Sequence, residues 1–155
     1  MDFDVEWTHI GSGSAMAELK KTVDDIRNNT YVKANLAGKK SNDQIMDMYA
    51  HQGYRIFINV SENEGVPVSI MEAMSFGMLV IATDVGGSRE LIRSGENGYL
   101  LDKDFKTEQL TDLLRKLSSL SAESLRRMGI ESRRIWSEKY SAEKNYREFY
   151  NELSM

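Results

Sequence analysis

Residues 78 to 83, Met-Leu-Val-Ile-Ala-Thr, run apolar almost to the end, with no alternation between an inward and an outward side. So short and continuous a run belongs in a strand buried on both faces, the condition of a parallel sheet covered by helices. "YRIFINVS" at 54 to 61 is a second run of this kind, rich in aromatic and β-branched residues. Between the two lies "PVSIMEAMSFG", a helix-length stretch opened by the chain's one proline, Pro67, and closed by Gly77, which suits a left-handed terminal position. Strand, helix and strand in this order predict a parallel crossover unit.

The same alternation extends in both directions. "VEWTHIG" (5 to 11) reads as a strand that feeds the helical pattern of residues 14 to 29 through Gly11-Ser12-Gly13. "YVKANLAG" (31 to 38) reads as the next strand, followed by a helix that Ser41 caps with Gln44 at the reciprocal position. After "DVGG", one or two helical turns over 88 to 95 lead through an Asn-Gly turn into a short strand at 96 to 101. Three helical segments, 107 to 120, 121 to 140 and 141 to 154, complete the chain, with Ser121 and Ser141 as expected caps. The fold class expected is α/β, a Rossmann-like three-layer sandwich with a mostly parallel sheet. Its 155 residues fit a single domain spanning 1–155.

Composition excludes several functions. A net charge of −4 gives no long-range pull toward nucleic acid. The absence of cysteine removes disulfides, thiolate metal sites and thiol nucleophiles together. No apolar run approaches the roughly 18 to 20 residues that cross a bilayer, and the acidic start lacks a signal peptide's basic end, so a cytoplasmic place is expected. His9 has no second histidine or acid at metal-ligand spacing, and His51 reads as a local partner of a helix's carboxyl end, so no metal is expected. The methionines at 46, 48, 71, 74 and 78 read as packing residues, and the aromatics Trp136, Tyr140, Tyr146, Phe149 and Tyr150 as helix-docking ones.

Two acids stand out beside the proline. Open parallel sheets bind ligands beyond the carboxyl ends of their strands, where helix amino ends point N–H groups into a crevice. Glu64 directly follows an expected strand, and Glu72 lies eight residues later in the helix. Two carboxylates so placed can take hydroxyls on different parts of one elongated ligand, with an anionic group on the amides between them. A nucleotide-diphosphate sugar has that form. A solvated loop acid at 64, a surface ion pair at 72 and simple partnership with the helix dipole are the alternatives. Gly86-Gly87 allows close backbone approach to a ligand or an ordinary tight turn, and Glu90 follows in the next helix.

The full stretch "ENEGVPVSIMEAMSFGMLVIATDVGGSREL" resembles the donor-binding half of retaining glycosyltransferases of the GT-B architecture. The family's E-x7-E motif falls on Glu64 and Glu72, and its glycine pair and following acid on Gly86, Gly87 and Glu90; the likeness runs from about residue 7 to residue 152. The resemblance implies that Glu64 is the catalytic-site acid near the donor sugar. It puts the backbone of Gly65, Val66 and Pro67 by the sugar or diphosphate, and Glu72 on the ribose hydroxyls. Gly11 and Gly13 match the family's Gly-x-Gly loop, and Gly38, Lys39 and Lys40 the region near the base.

The function this implies is donor binding in a retaining transfer of a sugar to a hydroxyl acceptor, in polysaccharide or glycolipid synthesis, with no cofactor or metal. A catalytically incomplete module or split subunit, and an epimerase-like domain, are the alternatives. Partners implied are the nucleotide sugar, an acceptor-binding N-terminal domain or partner chain, and a peripheral place at a membrane. Relative to the family, the usual first strand and its basic diphosphate loop have no counterpart before "VEWTHI". From that departure two expectations follow: direct pairing of "VEWTHI" with "YRIFIN", and a homo-oligomer that completes the sheet.

Overall fold

The computed structural model describes residues 3–26, 28 and 31–153. The chain divides into two compact units, Met1–Met48 and Tyr49–Met155. In the first, strand β1 (Val5–Ile10) passes through helix α1 (Met16–Asp25) to strand β2 (Val32–Gly38), and the strands pair in parallel from Val5 opposite Val32 to Ile10 opposite Gly38. Helix α2 (Asn42–His51) follows, and its start has the expected reciprocal cap. Gln44 N–H donates to the Ser41 hydroxyl at 3.3 Å and Ser41 N–H donates to the Gln44 side chain at 3.0 Å.

The second unit holds a parallel sheet of strands β3 (Ile56–Asn59), β4 (Leu79–Thr83) and β5 (Gly98–Leu101), with β4 in the middle. Helix α3 (Val68–Ser75) crosses from β3 to β4, and helix α4 (Ser88–Leu91) from β4 to β5. Helices α5 (Thr107–Ser118), α6 (Ala122–Lys139) and α7 (Ala142–Leu153) follow. Continuity of the apolar run at 79–83 now has its cause. Val80 and Ala82 pack with Ile70 and Met74 of α3, Leu91, Ile92 and Ile135, while Leu79 and Ile81 pack with Leu117 of α5 and Met128 of α6 on the other face. All five residues of β4 are buried. The fold is therefore the expected layered α/β arrangement.

The expected pairing of "VEWTHI" with "YRIFIN" is not found: among the described residues β1 is bonded to β2, β3 to β4, and no ladder joins the two sheets. Each strand has instead paired with its neighbour across a single crossover helix, the arrangement that a short connection favours. Several elements are also shorter than their sequence patterns. β3 stops at Asn59 because that side chain accepts the Ser61 N–H at 3.1 Å and turns the chain. Asn97-Gly98 is not a simple turn, since the buried Asn97 accepts the Arg93 N–H at 2.7 Å and donates to the Leu91 carbonyl at 3.0 Å, so the strand begins only at Gly98.

Gly77 ends α3 with φ +73, as expected of that position, and it meets α6 backbone to backbone. A β-carbon on Gly129, within α6, would overlap the Gly77 carbonyl oxygen. Gly129→Ala adds about 1 kcal/mol of helix propensity but forces two backbones apart. A net loss of about 2 kcal/mol is expected from such overpacking, read as a lower Tm by calorimetry. Gly13→Ala, with nothing within 4 Å of the added carbon, leaves the Tm unchanged.

Candidate functional site

A chain of side-chain hydrogen bonds starts where β3 and β4 end. The Asn59 side-chain carbonyl accepts from both the Ser61 N–H at 3.1 Å and the Ser61 hydroxyl at 2.6 Å. Its amide donates to Glu64 Oε1 at 3.2 Å. From the neighbouring strand the hydroxyl of Thr83, a buried residue, donates to the Ser61 carbonyl. The half-buried Glu64 is thus tied through its carboxylate to the end of one strand, and through Ser61 to the end of the next.

Gly65 and Val66 are exposed, and the buried Pro67 then starts α3 from an extended conformation at φ −75, ψ 108. No side chain caps this helix, so its amino end presents backbone amides beside exposed Val66 and Val68. Glu72 is half-buried one turn further on. Its charge reaches Tyr49, whose phenol is pushed up to about 12 first by burial and then by Glu72 and Tyr54. The Tyr49 ring lies edge-on to Phe57 and Phe76 at 6.4 and 5.7 Å.

Gly86 and Gly87 meet the protein's own backbone. Gly86 has φ +52, and a β-carbon there would overlap the Glu64 carbonyl oxygen. On Gly87 it would stand 3.0 Å from Val66 Cγ2 and 3.1 Å from the Gly65 oxygen, which also accepts the Gly87 N–H at 2.8 Å. The doublet therefore seats the loop carrying Glu64 on the loop leaving β4. Asp84 in that loop is bonded to Arg89, which holds its carboxyl below the usual carboxylate range. Glu90 lies exposed in the single turn of α4, with its carbonyl accepting the Tyr140 hydroxyl at 3.0 Å. Glu64, Gly65, Val66, Pro67, Gly86 and Gly87 are thus brought together, with Glu72 one turn along α3 and Glu90 at the start of α4.

In the first unit, Gly11 and Gly38 adjoin at the carboxyl ends of their strands, the Gly11 N–H donating to the Gly38 carbonyl at 3.0 Å. Gly13 lies exposed before α1 and Lys39 exposed after β2. Lys40 lines a shallow hollow of about 400 Å³ with Asp43, Gln44, Asp47 and Met48. A groove of about 490 Å³ in the second unit, lined among others by Arg55, Gly77, Gly129 and Arg133, adjoins the starts of β3 and β4, the ends opposite Glu64. Among the described residues no cluster of three histidines or acids could hold a metal ion, and no helix is long and apolar enough to cross a membrane.

Asn59, Ser61 and Thr83 are the site residues that the sequence reading passed over. Their one signal was polarity: an asparagine inside "YRIFINVS" and a threonine closing "MLVIAT". Polar groups withdrawn from water need partners, and the buried Thr83 and the half-buried Asn59 and Ser61 find one another and Glu64.

The sequence profile described as glycosyl transferases group 1 matches residues 5–135. An uncharacterized glycosyltransferase of Methanocaldococcus jannaschii is 30% identical over 99% of this chain and 42% of its own length. The amylovoran biosynthesis glycosyltransferase AmsK of Erwinia amylovora is 30% identical over 76% of this chain and 29% of its own. The crystal structure of Anabaena HepE in complex with UDP superimposes with a TM-score of 0.75 at 20% identity, over 97% of this chain and 41% of that one. The chain spans less than half the length of these proteins.

Two outcomes test this geometry. Gly86→Ala is expected to cost about 3 kcal/mol in denaturant unfolding, since positive φ and backbone overlap act together. Tyr49 carries its proton in the fold above the ordinary phenol value, so stability falls as pH rises from 10.0 toward about 12. Glu72→Gln narrows that window by removing a negative charge. NMR titration of the Tyr49 ring should show its pKa lowered but still above the ordinary value, because burial is the larger cause.

Proposed function

The chain belongs to the glycosyl transferases group 1 family, and from that premise we propose that it binds the nucleotide-diphosphate-sugar donor of a retaining sugar transfer. The observation that carries this reading is the placement of Glu64. Asn59 ties its carboxylate at the carboxyl end of β3, three residues before the uncapped amino end of α3. A diphosphate suits the backbone amides there, because a helix amino end is a ready anion site. Glu64 takes hydroxyls of the donor sugar, and Glu72 those of the ribose. Gly65, Val66 and Pro67 line the approach, with Gly86 and Gly87 seating the loop from behind and Glu90 at its edge.

In the reaction, the bond between the anomeric carbon and the diphosphate breaks, with its electron pair leaving on the diphosphate. The acceptor hydroxyl's oxygen bonds to that carbon, and its proton passes to an oxygen of the departing diphosphate. Charge builds on the leaving diphosphate, so amides already aimed at it stabilise the transition state more than the ground state. Arg89, the cation that follows the glycine pair, is bonded to Asp84. Turnover needs the acceptor-binding half, on the same or another polypeptide, a reading supported by the 42% span of the archaeal relative. Tyr146, Phe149, Tyr150 and Leu153 form an exposed apolar stripe along α7 that another polypeptide can cover. By analogy with AmsK, the acceptor is a hydroxyl of a growing polysaccharide.

UDP is the first ligand to try, because a structural neighbour was crystallised with it. Calorimetry with UDP, GDP and their glucose conjugates should give heat of binding for one base. Glu72→Ala should weaken that binding by about 10- to 100-fold, the worth of hydrogen bonds to a charged group. Absence of heat with every one of these ligands would contradict donor binding, and sugar transfer by this chain alone would contradict the need for a second half.

A further inference from the structure

We propose that Asn59 is the positioning residue of this site: its side-chain amide sets the direction of the Glu64 carboxylate and thereby the affinity for the sugar portion of the donor. The inference rests on the donor-binding reading given above and adds to it a residue and a task. Three bonds define the orientation of Asn59. Ser61 N–H can only donate, so the Asn59 atom facing it at 3.1 Å is the carbonyl oxygen, and the Ser61 hydroxyl donates to that same oxygen at 2.6 Å. The amide nitrogen is therefore the group that faces Glu64, at 3.2 Å. That bond holds one carboxylate oxygen, Oε1, and leaves the other without a protein partner among the described residues.

An isolated carboxylate on a loop would sample several rotamers, and ordering it on ligand binding would weaken affinity. The amide of Asn59 supplies that order beforehand. Ser61 in turn is held by Thr83 at the end of the central strand. The direction of Glu64 is thus referred to the most deeply buried strand of the unit rather than to the exposed loop that carries it.

Asn59→Asp separates this task from a merely structural one. Aspartate is nearly the same shape, and one of its oxygens still accepts both bonds from Ser61. Its second oxygen can no longer donate, and it faces Glu64 with like charge. The bonds that turn the chain survive while the bond that aims Glu64 is lost.

The experiment is calorimetry of the full chain with UDP and with UDP-glucose, alongside thermal unfolding. Asn59→Asp is expected to lower Tm modestly, through repulsion from Glu64, to leave UDP affinity nearly unchanged and to weaken UDP-glucose binding about tenfold. In the Glu64→Gln background the same change should cost little, because the amide introduced at position 64 can donate back to the new carboxylate. Equal loss for both ligands, or losses at 59 and 64 that simply add, would overturn the positioning role. Failure of the unaltered chain to bind UDP would instead overturn the donor-site reading, and this inference with it. Should Asn59→Asp not fold, Asn59→Ser, too short to reach Glu64, carries the same comparison with the same outcomes.

Discussion

The contact on which the candidate site depends is between two stretches of backbone. Gly86 and Gly87, leaving β4, lie against Glu64, Gly65 and Val66, leaving β3, so closely that no side chain fits between them. A left-handed residue at 86 brings this about, and the Gly87 N–H seals it on the Gly65 carbonyl. Without it the loop after β3 would have only its side-chain bonds to hold it, and Glu64 would have no defined position relative to α3. A glycine pair usually suggests room for a ligand; here the room is taken by the protein itself.

That contact in turn requires strands that do not move. β4 is buried on both faces, with Val80 and Ala82 toward α3 and Leu79 and Ile81 toward α5 and α6. Burial of Leu79, Val80 and Ile81 is worth about 1.5 to 3 kcal/mol each, so the strand is costly to displace. Its carboxyl end supplies Thr83 to the site, and just before its amino end Gly77 is pressed against Gly129 of α6. Rigid packing at one end of the sheet and polar bonding at the other give a loop that is exposed yet ordered.

Patterns that local physics decides were legible in the sequence. The unbroken apolar run at 78 to 83 announced a doubly covered strand, Ser41 and Gln44 announced their reciprocal cap, and Gly77 its left-handed helix end. The methionines at 74 and 78 are core residues as expected. What stayed hidden depends on partners distant along the chain. Asn59 looked like one more strand residue because its partner Glu64 is visible only once the chain has turned. Gly86 was open to two readings because the backbone it touches lies 22 residues earlier. The pairing of β1 with β2 rather than β3 is a choice among partners of similar apolarity, which periodicity does not rank. The family resemblance supplied roles for Glu64 and Glu72 that no spacing rule contains.

The central claim is that ligand binds at the carboxyl ends of the strands, on the loop that Gly86 and Gly87 support. An NMR titration of the nitrogen-15-labelled chain with UDP-glucose tests it most directly. The account predicts that amide shifts concentrate at Glu64, Gly65, Val66, Val68 and Ser69, with smaller changes at Gly86 and Gly87. Shifts gathered instead around Gly77, Arg126 and Gly129, in the groove at the other end of the sheet, would contradict it.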